Sequence, residues 1–252
     1  MGRRTLAAAA AVLGTVLVLG ACTDGEAPGP SGTTDATSSP GGGPTATPTS
    51  DAEGDVRDRL VQALQDDTTG LGDLVSQADT SLTVLETPWL QGWQVVDVLS
   101  RAGSHGTRAY VGLSQDGTAV LLSGAPDAFV EILGSGAASV PDEDTAVQVV
   151  DTYLDATRSF RGWSERIASF DDVRLRPDLD AEAQASVDAA RATLADQVAP
   201  TAAVSRGDGF DVVAWVQDGA AVVRHEVHVG RDGSLSDRPA TLVSDLPAPI
   251  SR

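Results

Sequence analysis

Two stretches of this chain return later in it. Gly92-Trp93-Gln94-Val95-Val96 comes back as Gly209-Phe210-Asp211-Val212-Val213, and Val111-Gly112-Leu113-Ser114-Gln115-Asp116-Gly117 comes back as Val227-His228-Val229-Gly230-Arg231-Asp232-Gly233. Trp93 and Asp116 are 23 positions apart and Phe210 and Asp232 are 22 apart, so the copies keep step to within one residue. A pattern repeated at matched spacing is one supersecondary unit built twice. The expectation is that residues 92–122 superpose on 209–238, with Val111 over Val227.

Each copy reads as strands behind helices. Phe210, Val212, Ala214 and Val216 alternate with Asp211, Val213, Trp215 and Gln217, the period of two of a sheet with one better-buried face. Asp218-Gly219, Asp116-Gly117 and Asp232-Gly233 are hairpin signals, expected as type I′ turns with positive φ at both central residues. Their aspartates read as turn residues and not as calcium ligands. Helices follow from spacing: Val56, Leu60 and Leu64; Val147, Val150 and Leu154; Val187, Ala190, Leu194 and Val198 each lay one apolar stripe. Asp142 or Asp144 is placed to cap the second helix and Asp180 the third, where a carboxylate meets unpaired N–H groups and the positive helix end.

The resulting order is helix, four strands, helices, four strands. This is an α+β fold in which antiparallel meander sheets pack on helices, with units at 54–138 and 139–252. Over residues 54 to 245 that order resembles a duplicated cystatin-like or NTF2-like unit. The resemblance implies a curled sheet whose concave face takes ligands, with aromatic side chains supplying stacking area.

Arg3 and Arg4, the apolar run Leu6 to Leu19 and the small residues before Cys22 have the three parts of an export signal. The run Leu19-Gly20-Ala21-Cys22 resembles the lipobox of bacterial lipoproteins. That resemblance implies removal of residues 1–21 and a diacylglyceryl group on Cys22, so that two acyl chains hold the protein at the extracytoplasmic face of the cell membrane. The apolar run is shorter than the roughly 20 residues of a spanning helix. Residues 22–53 carry the cysteine and then Gly, Pro, Ser, Thr and Asp with no large apolar side chain. Such a composition cannot bury a core and reads as a disordered linker, spanning roughly 30 Å as a flexible coil.

The net charge is −19, and loss of Arg3 and Arg4 with the signal takes it to −21. That surface repels nucleic acid, whose binding depends on Lys and Arg displacing counterions from phosphates. Lys and Asn are absent from all 252 positions, a composition that resembles proteins of very G+C-rich, actinobacterial genomes. Cys22 is the only cysteine, so once it is the anchor no disulfide or thiol chemistry is left.

Candidate chemistry starts from three histidines. His225 and His228 stand three apart in an expected strand, which points their rings to opposite faces and denies them a shared metal ion. The repeat places His225 over Ala109 and His228 over Gly112, so the unit requires histidine at neither position. His225 reads as a packing residue on the face of Val223, Val227 and Val229, its replacement by Leu costing little. A carboxylate hydrogen-bonded to it at the bottom of a solvent-filled pocket would instead put an enzyme first. His105 lies in a turn, and Asp171 and Asp172 read as caps or solvated surface. No Gly-x-Ser-x-Gly elbow occurs, Ser-x-x-Lys is impossible without lysine, and Gly41-Gly42-Gly43 falls in the linker. Trp89, Trp93, Trp163 and Trp215 are four of ten aromatics. Trp163 and Trp215 are the candidate ligand contacts. The reading is a lipid-anchored, non-enzymatic binding or assembly module without cofactor or metal, whose partner is an envelope protein or a small ligand. The alternatives are a carrier of a small apolar ligand in a concave sheet and a cell-wall-active hydrolase.

Overall fold

Alternation of period two and stripes of period 3.6 become strands and helices where their spacing places them. The computed structural model describes residues 50–249 except 68, 102–105 and 161. The signal segment, Cys22, residues 23–49 and His105 lie outside the described residues. In chain order the elements are α1 (Ser50–Ala63), α2 (Leu71–Ser76), β1 (Thr80–Val84), β2 (Trp93–Ser100), β3 (Thr107–Ser114), β4 (Ala119–Leu121), α3 (Pro126–Ser135), α4 (Glu143–Thr157), β5 (Ser164–Arg166), a 3-10 turn (Phe170–Asp172), α5 (Ala181–Leu194), β6 (Ala202–Arg206), β7 (Gly209–Asp218), β8 (Ala221–Gly230) and β9 (Leu235–Val243). The architecture is α+β, with two antiparallel sheets packed on helices. None of the described helices is long and apolar enough to cross a membrane.

α1 starts inside the expected linker. Residues 50–53 are helical, and Glu53 is held by Arg57 at 3.2 Å while accepting the Leu82 N–H at 3.4 Å. This i, i+4 pair and the link to β1 give polar residues a reason to continue the helix backwards. Asp142 caps α4 by accepting the Thr145 N–H at 2.8 Å, and Asp180 caps α5 by accepting the Ala183 N–H at 2.8 Å. Asp144 lies one step inside, in the first turn of α4.

The first sheet is the meander β1-β2-β3-β4, and the second contains the meander β6-β7-β8-β9, with β5 pairing the far end of β7. Adding 116 to every number carries one hairpin register onto the other. Val96 opposite Val111 corresponds to Val212 opposite Val227, and Val111 opposite Leu121 corresponds to Val227 opposite Asp237. On this register Trp93 falls on Gly209 and not on Phe210, so the Gly-aromatic motif is displaced by one residue. Val111 packs on α1 and α2, and Val227 packs on α4. Each meander thus turns the equivalent face to a helix earlier in the chain, although α5, the last helix before β6, lies on the other face.

The turns are not type I′. Asp116 and Asp232 lie in the connections 115–118 and 231–234, in which only Gly117 and Gly233 have positive φ. Asp218 is the last residue of β7, paired with Ala221, and the two-residue loop is Gly219-Ala220 with positive φ only at Gly219. In every case the aspartate precedes the position that needs the left-handed conformation, and glycine takes it.

α3 and α4 share a core with both sheets: Phe129, Tyr153 and Leu154 meet Val95 and Tyr110 from one sheet and Phe210, Val212 and Val227 from the other. α5 covers only one end of the second sheet's opposite face, through Val187, Ala190 and Leu194 on Trp215 and Val222.

Candidate functional site

α4 lays Val149, Val150, Tyr153 and Leu154 toward the second sheet as one stripe. On the sheet side, alternation along β8 directs Val223, His225, Val227 and Val229 to this helix, and the pairing of Val227 with Asp237 places Asp237 on the same face. His225 therefore keeps its expected face. The expectation that no carboxylate converges on it is corrected: Asp237 Oδ2 lies 2.7 Å from His225 Nδ1. The Tyr153 hydroxyl donates to the same oxygen at 3.4 Å.

These three groups line a cavity of about 460 Å³ whose other walls include Leu154, Val216 and Val223. The side chains of His225 and Asp237 are 16% and 10% exposed, so the pair sits deep in the wall and the imidazole is the more open member. A carboxylate only accepts, so Nδ1 carries the shared proton. Burial first, and then the Asp237 charge and hydrogen bond, push the Tyr153 phenol up to about 12, so it stays a neutral donor. Asp237 Oδ1 is buried without a partner among the described residues. The corresponding residues of the first meander are Ala109 and Leu121, neither of them polar.

His228 lies on the opposite sheet face. Its Nδ1 is 2.8 Å from Asp211, which also holds Arg206 at 2.8 Å. The two imidazoles have separate carboxylates on separate faces, as strand alternation requires. That outer face also carries Arg224, Glu226 and Arg238 around an open depression of about 510 Å³. A third depression, beside α4 and the first sheet, is crossed by ion pairs of Arg166 with Asp151 at 2.6 Å and Asp155 at 3.1 Å.

Trp215 is buried against α5, with the Arg224 guanidinium 6.0 Å from its ring centroid. Trp163 is half-buried before β5, under Arg174 at 5.6 Å, and its carbonyl accepts the Gly219 N–H. Neither wall of the Tyr153 cavity is a tryptophan. Trp89 is core, and Trp93 packs against the same central cluster. Asp172 accepts the Ala168 and Ser169 N–H groups at 2.9 and 2.8 Å, and Asp171 pairs with Arg191 at 2.6 Å. Among the described residues no three of His, Cys, Asp and Glu converge as a metal site.

Sequence reasoning named His225 and missed Asp237 and Tyr153. The expected superposition of 92–122 on 209–238 already spans Asp237, one strand past His225, and comparing the two segments there would have found it, an acid where the first meander has Leu121. No known family model matches this chain, and neither curated proteins nor solved structures yield a match.

Proposed function

We propose that the chain is an exported lipoprotein, anchored through Cys22 and lifted from the membrane by its Gly/Pro/Ser/Thr linker, whose folded part binds a small ligand between α4 and β7–β9 without transforming it. The fold is read as a duplicated unit of cystatin-like or NTF2-like kind, its copies at 54–138 and 139–252. One observation carries the binding reading: Tyr153, His225 and Asp237 come together from three elements in a cavity, where the matching strand positions of the other copy hold Ala109 and Leu121. A buried polar pair adds little to stability compared with apolar side chains, and departures from a fold's own pattern concentrate at functional sites. The absence of tryptophan from the wall favours a partly polar ligand over a purely apolar cargo.

The 2.7 Å contact of His225 with Asp237 in a cavity wall meets the carboxylate condition that the sequence set for an enzyme; the catalytic reading is nevertheless placed second, because the pair lacks a nucleophile. A carboxylate that fixes an imidazole is half of a general base. A hydrolase of the nucleophilic type also needs a hydroxyl on the other ring nitrogen, and no described side chain hydrogen-bonds His225 Nε2.

The test uses the full chain expressed in a lipidating bacterium. Detergent-phase partitioning should be lost in Cys22→Ser; unchanged partitioning of that variant overturns the tether. Mass spectrometry of gently extracted protein should find a small molecule at near-stoichiometric level. A stoichiometric protein partner instead would move the reading to an assembly role.

A further inference from the structure

His225 Nε2 is a polar atom of this cavity's lining to which the described protein gives no partner; Asp237 Oδ1 and Arg158 Nε also lack one, but both are sealed from solvent. Because Asp237 only accepts, the hydrogen-bonded Nδ1 holds the proton, and in the neutral ring the lone pair is left on Nε2. In that neutral form the imidazole is an oriented acceptor, and it forms part of the cavity wall. Around it the wall is mostly carbon: Leu154, Val216, Val223, Pro126, Pro239 and the Tyr153 ring.

Charge narrows the ligand further. An anion would meet the Nε2 lone pair and, behind it, the Asp237 carboxylate. Arg158, which lines the cavity, donates to the Ser164 carbonyl at 3.0 Å and lies over the Phe160 ring at 4.8 Å, and its Nε, though unpartnered, is sealed from solvent. A cation is no better served beside His225, since Asp218, the other carboxylate that lines the cavity, is exposed. The Asp237 carboxylate is covered by the imidazole and the phenol, and its second oxygen is sealed from solvent. A buried charge without a partner is expensive, so the polar group that meets His225 must be neutral.

We propose that the cavity takes an uncharged ligand with an apolar body of one or two rings and a single O–H or N–H donor, the donor seated on His225 Nε2. A volume of about 460 Å³ is within the range of small-molecule sites. The inference rests on the reading of this cavity as the ligand site and adds the ligand's class.

Three probes of one shape separate the two ideas: 4-ethylphenol, 4-ethylanisole and 4-ethylbenzoate, titrated into the protein by ligand-observed NMR at a pH where the benzoate is ionised. The phenol should bind about tenfold more tightly than either of the others, the difference expected of one well-placed hydrogen bond. In His225→Leu the phenol and the anisole should become equal. Equal binding of phenol and anisole to the wild-type protein, or tighter binding of the benzoate, overturns the ligand class and leaves the cavity a binding site. Binding of none of the three at millimolar concentration overturns both. The wild-type comparison decides the matter even if the variant fails to fold.

Discussion

Gly117 and Gly233 occupy the same place in two hairpin turns of one hydrogen-bond pattern. In the first, Ser114 N–H donates to Thr118 O at 2.8 Å and Gly117 N–H to Ser114 O at 3.2 Å; in the second, Gly230 N–H donates to Ser234 O at 2.7 Å and Gly233 N–H to Gly230 O at 3.0 Å. The φ angles are 81° and 84°. Their surroundings differ: a Cβ on Gly117 would meet nothing within 4 Å, and one on Gly233 would collide with the Ala138 Cβ.

Alanine should therefore cost different amounts at equivalent sites. Gly117→Ala carries only the left-handed strain, about 1–2 kcal/mol. Gly233→Ala adds the clash with Ala138, about 1–3 kcal/mol more. Chemical denaturation of both variants checks the ranking, and equal costs would mean that the β8–β9 turn does not press on the chain before α4.

Gln217 is fully buried in β7 and acts as a staple. Its Oε1 accepts the Arg174 N–H at 2.7 Å, and its Nε2 donates to the carbonyls of Arg174 at 2.9 Å and Gly219 at 3.1 Å. Gln217→Leu keeps the volume and strands three backbone groups, each worth about 1–3 kcal/mol when buried unpaired. A loss of about 3 kcal/mol or more is expected by urea denaturation, with faster amide exchange at Arg174.

The phenol of Tyr153 gives a stability signature at alkaline pH. The unfolded chain ionises tyrosine near 10, and the fold holds Tyr153 neutral up to about 12. The stabilisation is fully present below pH 10 and disappears as pH rises from 10 through 12. Across that window it is about 1–3 kcal/mol, and Tyr153→Phe should flatten the stability profile there. Absorbance at 295 nm follows the ionisation directly, since only two tyrosines are present.

Local spacing made the meanders and helices legible, because each stripe and alternation is written within a dozen residues. Pairing made the rest illegible. Whether Asp218 or Gly219 opens the turn depends on where β8 begins, and Gln217 reads as the polar member of an alternation although α5 and the segment before it close over its end of the sheet. Asp237 reaches His225 only through the β8–β9 register, which shifts at Val222/Val223. Tyr153 arrives from a helix 72 positions earlier in the chain than His225, and nothing local to either residue announces the other.

That same pair reverses one sequence expectation and yields the sharpest test of its purpose. With Asp237 absent from view, His225→Leu was expected to cost little. With Asp237 behind the ring, removing the imidazole leaves a buried carboxylate whose other oxygen already lacks a partner. Truncating one member of a buried pair costs about 3–5 kcal/mol, so His225→Ala alone should lower the urea midpoint sharply. The double variant His225→Ala with Asp237→Leu installs the side chains that the first meander carries at Ala109 and Leu121. It removes the stranded charge together with its partner, and should recover most of the lost stability while losing the ligand. If the double variant is as unstable as the single one, the pair is a structural element of the second sheet. If it is stable and still binds, the cavity's ligand is held by groups other than His225.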